Sequence, residues 1–411
     1  MTDRLNIAIF IEQKLQIGGG FQQSLISALQ ARDLKFDLLN LIFIVTNKEN
    51  VTLLKRYNIN AICINLSYFD KIMMLMRRKI YLPQSLKKSF LLSKRNKLEK
   101  FLDKLDIDLL YFTSPSTLPF YLSDYNFIYT LWDMSHRDDV EFPENRNNFV
   151  FEKREELNHS ILPKAVAILV DSEVAAVKLS LRYGIDRDRI LIMPFLPALN
   201  SHTSDDDYEE GFFDVKKKYD IAFDYVFYPA QFWSHKNHIF ILNGIKLLED
   251  MHGIKLGAIF SGSDRGNRQF IMEYARSAKL KNRIIFAGFV SDSDMPYFYR
   301  QSLALVMPTY FGPTNMPPLE AFQLGVPVIY SNIDGAKEQL DEAAFLLDIN
   351  DEMSFVESIL SLKNQQVKED MIKKGRTQLK LIIKKRDRAE EALCNIFIQY
   401  AQRQRSWKKR L

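Results

Sequence analysis

The chain has 411 residues, of which 47% are hydrophobic and 26% charged, and a net charge of +5. That balance suits a globular protein of about two domains and excludes a disordered, collagenous or coiled-coil organisation. Two cysteines without a C-x-x-C pair and six scattered histidines without an H-x-x-x-H pair argue against a disulfide framework or a metal site and for a reducing cytoplasm.

In chain order, Ile7–Ile11 reads as a strand, followed by a glycine turn at Gly18, Gly19 and Gly20, which would let backbone approach a ligand closely or else be only a flexible loop, and a helix over Phe21–Arg32. Strands are expected at Leu41–Val45, Ile62–Leu66, Leu109–Thr113, Phe127–Leu131 and Ala167–Val170. Between Lys71 and Lys104 lie eleven Lys/Arg and two acids, interleaved with Met73, Met74, Met76, Ile80 and Phe90. Basic side chains beside apolar ones suit contact with an anionic membrane surface, or else a solvated helix whose apolar stripe enters the core. No nucleic-acid-binding motif accompanies the charge, and nucleic acid is not expected as a partner. The N-terminus shows no signal-like apolar region, and no run of about 18 uncharged apolar residues would span a bilayer. A cytoplasmic chain, peripheral at the inner face of a membrane if the basic stretch binds lipid, is therefore expected.

A segment with Pro194, Pro197 and the acidic run Asp205–Asp207 separates the first set of strands from a second, at Tyr225–Tyr228, Gly257–Phe260, Ile284–Ala287, Ala304–Met307 and Val326–Tyr330. Strands alternating with helical patterns imply parallel βαβ units. We divide the chain into a first Rossmann-like domain (1–195), a linker (196–224), a second Rossmann-like domain (225–385) and a C-terminal helix (386–411). Such sheets bind ligands at the carboxyl ends of their strands, so the site is expected in the cleft between the domains.

Three segments carry chemistry. After the strand ending at Met307, a loop with Gly312, Thr314, Asn315 and Met316 leads into a helix opened by Pro317 and Pro318 and closed by Gly325. Loop N–H groups and the helix N-terminus favour a phosphate there, and Glu320 in the first turn can accept hydrogen bonds from a ribose diol; as a structural residue it would only balance the helix dipole. After Tyr225–Tyr228, the loop Pro-Ala-Gln-Phe-Trp-Ser-His-Lys-Asn-His brings Lys236 to the same cleft, a point charge suited to a diphosphate. Asn237 and His238 read as helix caps, and His235 has no assigned role. In the first domain, Leu131-Trp-Asp-Met-Ser-His-Arg follows a strand, so Asp133 and His136 are expected to face the cleft, where a His near an Asp could position a substrate hydroxyl. A helix cap by Asp133 or Ser135 is the plainer alternative.

These segments resemble the nucleotide-sugar-dependent glycosyltransferases of family 4 with the GT-B fold. Pro-Pro-Leu-Glu-Ala followed by Gly-Val-Pro-Val-Ile is the most specific part, and Tyr-Pro-Ala-Gln-Phe-Trp-x-His-Lys-Asn-His is similar to bacterial members acting in surface-polysaccharide assembly. The resemblance covers the second domain and is thinner in the first. It implies Glu320 as the ribose-binding glutamate and Lys236 as the lysine on the donor diphosphate. Gly288 and Val290, in the segment beginning Gly288-Phe-Val, would hold the nucleotide base. Thr314, Asn315 and Met316 would offer backbone donors. The family's usual glutamate eight residues before Glu320 is replaced by Gly312, an arginine five residues before Lys236 by Gln231, and a histidine before Asp133 by Trp132. The resemblance implies hexosyl transfer with retention, without metal or cofactor, from a nucleoside diphosphate sugar to a saccharide or lipid-linked acceptor. A sugar-nucleotide epimerase and a non-catalytic nucleotide-binding subunit remain as alternatives.

Overall fold

The computed structural model describes residues 4–14, 19–34, 38–79, 95–199, 208, 213–312 and 314–407, with the side chains of 19 and 77–79 excepted. Seven parallel strands form the first sheet: β1 (Leu5–Ile11), β2 (Leu39–Val45), β3 (Ala61–Cys63), β4 (Leu109–Phe112), β5 (Asn126–Thr130), β6 (Ala167–Val170) and β7 (Ile190–Ile192). Their order is β3-β2-β1-β4-β5-β6-β7. Both faces of β1 are covered: Ile7, Ile9 and Ile11 enter one core, and Ala8 and Phe10 the other. This is why the strand reads as a continuous apolar run rather than an alternating one.

The second sheet repeats the plan with β8 (Asp224–Pro229), β9 (Leu256–Ser261), β10 (Ile284–Gly288), β11 (Leu305–Met307), β12 (Val328–Ser331) and β13 (Ala344–Leu347), in the order β10-β9-β8-β11-β12-β13. Two edge strands, β7 and β13, go beyond the sequence expectation. Both are wholly apolar but only three and four residues long, and most of their residues are half-buried, so each is too short to stand out as a strand in the sequence.

The helices that matter for the site are α1 (Gly19–Asp33), α2 (Tyr68–Lys79), the single turn α3 (Pro143–Arg146), α4 (Glu173–Tyr183), α5 (His238–His252), α6 (Met316–Leu324), α7 (Ala336–Leu340) and α8 (Gln365–Gln404). The last is one 40-residue helix, so the boundary drawn at 385/386 falls inside it. Its Leu379 and Ile382 belong to the core of the second domain, while Ala389, Leu393, Phe397 and Tyr400 belong to a core of the first. At the crossover, buried Arg386 donates to the Pro194 carbonyl at 2.9 Å. The helix thus straps the two domains together.

Candidate active site

Every loop that carries a predicted site residue leaves the carboxyl end of a strand. Trp132 and Asp133 follow β5, Asp171 follows β6, the loop with Lys236 follows β8, and Gly312 to Asn315 follow β11. These ends face one another across the cleft, because Thr314 of the second domain donates its hydroxyl proton to Asp171 of the first. Glu338 of α7 likewise accepts from the Glu173 N–H at the start of α4 at 2.7 Å. A carboxylate at a helix N-terminus is a favourable pairing, so the contact helps to hold the cleft closed.

Lys236 ends the short turn Ser234–Lys236, whose following residue Asn237 takes a left-handed conformation with φ 51°. Its Nζ lies 3.5 Å from Asn315 Oδ1, so the two loops of the second domain meet at this cation. Burial pushes its pKa down to about 8, against the pull of the Glu144 charge. The ammonium is therefore poorly hydrated and poised to gain from an incoming anion.

Glu320 is the fifth residue of α6 rather than a first-turn residue, since the helix begins at Met316. Its Oε2 accepts from the buried Tyr299 hydroxyl at 2.6 Å. Burial raises its pKa, opposed by the hydrogen bonds from Tyr299 and the Ala198 backbone, with the Asp292 charge adding to the rise. Asp292 belongs to the segment expected to hold the nucleotide base. Gly288 there has φ 67° and its carbonyl accepts from Gly262 N–H at 2.8 Å, and Val290 is buried. The segment with Gly288, Val290 and Asp292 thus lies near Glu320.

Free N–H donors at the start of α6 are fewer than the sequence suggested. The Asn315 N–H donates to Gln339 Oε1 at 3.0 Å, and prolines occupy the second and third helical positions. Met316 and Leu319 are the residues of the first turn that retain an N–H. This places more of the task on cationic side chains. One was not anticipated: Arg265, on the loop after β9, donates to Gln231 Oε1 at 3.1 Å, and Trp233 Nε1 donates to the same oxygen at 3.0 Å. Gln231 thus holds a guanidinium beside the cleft instead of supplying one.

Three expectations need correction. His136 does not face the cleft: it is fully buried, with Nε2 2.8 Å from Glu155 Oε1, and burial lowers its pKa. It serves a network inside the first domain in which Tyr183 also donates to Glu155 at 2.5 Å. His238 and Asn237 do not cap α5 through their side chains; His238 is a packing residue between Tyr228 and Phe232. Gly20 makes its close approach to a protein ring, since a Cβ there would lie 2.8 Å from the Trp132 indole. Gly19 opens α1, and Gly18 lies outside the described residues.

Asp133 is half-exposed after β5, accepting from the Ser135 N–H at 3.0 Å and from Arg154 at 2.6 Å. Its surroundings alone would raise its pKa, but Arg154 and Ser135 outweigh them and hold it below the usual range. Gly312 has φ 87°, and its carbonyl accepts from Asn315 Nδ2 and the Tyr330 hydroxyl, each at 2.6 Å. The residue is therefore fixed by its backbone.

Two facing Rossmann-like domains with the candidate site residues at the strand ends between them define a GT-B fold. A sequence model of the family described as "Glycosyl transferases group 1" matches residues 214–378, which take in most of the second domain. Over 168 residues the chain is 28% identical to the O-antigen chain mannosyltransferase B of Escherichia coli, covering 40% of this chain and 44% of that protein. Over 201 residues it is 24% identical to an Escherichia coli UDP-Gal:α-D-GlcNAc-diphosphoundecaprenol α-1,3-galactosyltransferase, covering 48% of each. The chain thus matches less than half the length of these curated relatives. Among solved structures, Anabaena HepE with UDP-glucose superposes with a TM-score of 0.70 at 14% identity, over 95% of this chain and all of that one. WaaG, a glycosyltransferase involved in lipopolysaccharide biosynthesis, gives 0.62 at 12% identity over 94% and 99%.

Proposed function

We propose that the protein is a glycosyltransferase that moves a hexosyl group from a nucleoside diphosphate sugar to a saccharide or lipid-linked saccharide in surface-polysaccharide assembly. The observation that carries this reading is the meeting of Lys236, the Asn315 loop and the Glu320–Tyr299 pair in one cleft, with Asp133 opposite. Lys236 stabilises charge on the departing diphosphate, where a preorganised cation in a water-poor site is worth most. Glu320 takes the ribose hydroxyls and Gly288 to Asp292 border the base. Asp133, held ionised, orients the acceptor hydroxyl or offsets positive charge at the anomeric carbon. Retention at that carbon and independence of metal are part of the proposal, and rest on the family resemblance. The names of the relatives make mannose and galactose the first donor sugars to try.

A membrane surface is the setting we propose for the acceptor. No helix among the described residues is long and apolar enough to cross a bilayer. Helix α2, however, exposes Tyr68, Phe69, Met73 and Met76 while Met74 anchors it in the core. The basic stretch begins within this helix at Lys71 and runs on beyond it, with residues 80–94 outside the described set. Apolar side chains beside basic ones suit the headgroup region of an anionic leaflet.

The test is transfer from GDP-mannose and UDP-galactose to lipid-linked saccharides. Lys236→Ala should lower the rate about 10²-fold or more. Nucleotide binding without transfer from any donor would instead favour a non-catalytic subunit, the reading that Gly312 supports.

A further inference from the structure

Glu144 sits on α3 in the first domain, yet its carboxylate reaches across to the second. Its Oε1 accepts from the His235 backbone N–H at 3.0 Å and from His235 Nδ1 at 2.5 Å. Both side chains are about nine-tenths buried. His235 directly precedes Lys236, and its ring stacks on Phe311 at 3.8 Å with planes 15° apart. Phe311 directly precedes Gly312. The His235 carbonyl accepts from Tyr310 N–H at 2.9 Å, so this one residue ties the Lys236 loop to the loop after β11. Phe142, two residues before Glu144, packs on Tyr310 and Phe311 with ring centroids 5.3 and 5.5 Å away.

The other side of α3 reaches the acceptor face. Asn145 donates to the Ser135 carbonyl at 3.2 Å and the Asp139 carbonyl at 2.8 Å, and Ser135 in turn donates to Asp133. One turn of helix therefore joins the Asp133 segment of the first domain to the Lys236 segment of the second.

We infer that Glu144 is a positioning residue for the transfer reaction: it fixes Lys236 against the reacting centre only when the two domains are closed. The inference rests on the functional reading above. Two consecutive donors converge on one carboxylate oxygen, which restrains both the backbone and the ring of His235 and hence the start of the Lys236 side chain. Burial lowers the His235 pKa to about 4. The ring is therefore neutral near pH 7, and donation from Nδ1 fixes its tautomer. In an open form, His235 loses both acceptor contacts at once. The leaving-group cation is then no longer held in register with Asp133, and closure becomes a condition for chemistry rather than for nucleotide binding.

The experiment compares Glu144→Ala and Glu144→Gln with wild type in the full chain. It measures equilibrium binding of UDP and GDP and steady-state transfer from UDP-galactose and GDP-mannose to a lipid-linked saccharide. Glu144→Ala should bind the nucleoside diphosphates within about threefold of wild type, which also shows that it folds, while kcat falls about tenfold or more with little change in donor KM. Glu144→Gln, which keeps an oxygen for the His235 donors, should retain kcat within about threefold. Wild-type turnover by Glu144→Ala would overturn the positioning role. So would Glu144→Gln as slow as Glu144→Ala, or a loss of nucleotide affinity that matches the loss of kcat. A wild-type protein that binds nucleotide but transfers from no donor would remove the functional reading and this role with it.

Discussion

Asp171 shows how closing the cleft is written into single residues. Burial pushes its carboxyl up to about 6, despite hydrogen bonds from Thr314 and Ser172, with Asp133 adding to the rise. The same group in the unfolded chain titrates near 3.8, so between these values the folded chain holds a proton that the unfolded chain has released. Its contribution to stability is therefore full below about pH 4 and is lost as the pH rises through 6, a difference of about 3 kcal/mol. Asp171→Asn should unfold a few degrees above wild type at pH 8 and converge with it near pH 4; equal melting temperatures at pH 8 would contradict this. Gly312 makes a second case. At φ 87° any side chain costs about 1–3 kcal/mol, so Gly312→Glu should lower the denaturation midpoint rather than rebuild the family's glutamate. An unchanged midpoint would show that the loop relaxes freely.

At the scale of elements, the buried parallel strands were legible because covering both faces leaves a continuous apolar run, as in Tyr225–Tyr228. The edge strands β7 and β13 were not, because a short, half-covered strand carries too little pattern. The two segments of the second domain that converge on Lys236 and Glu320 could be read from punctuation: prolines opening α6, glycine closing it, and a basic residue after a strand. Whether His136 turns inward could not be read, since the helix Ser135–Asp138 is a single turn with no periodicity to orient it. Nor could Glu144, whose partner lies 91 residues away, or Tyr299, which reads as one more core aromatic. Gly20 was read as a ligand approach and is instead the seat of Trp132. Gly20→Ala should therefore displace the indole and cost about 1–3 kcal/mol, measured by chemical denaturation, whereas a pure flexible loop would gain stability slightly.

For the whole molecule, the strap α8 decides how the domains behave. Phe397 is fully buried in the first domain although its helix begins on the second. Deleting residues 386–411 should uncover that core and remove the Arg386 contacts with Pro194, lowering thermal stability sharply; a truncated protein that melts like the full chain would contradict the strap. The central claim, that the cleft is built for a nucleoside diphosphate sugar, is tested most directly by thermal unfolding with UDP, GDP, dTDP, ADP and CDP on wild type and Glu320→Ala. At 100 times its dissociation constant a nucleotide should add about 2.7 kcal/mol of stability. The account predicts stabilisation of wild type by at least one of these nucleotides and its loss in Glu320→Ala. No stabilisation by any of them, or stabilisation that persists unchanged in Glu320→Ala, would contradict it.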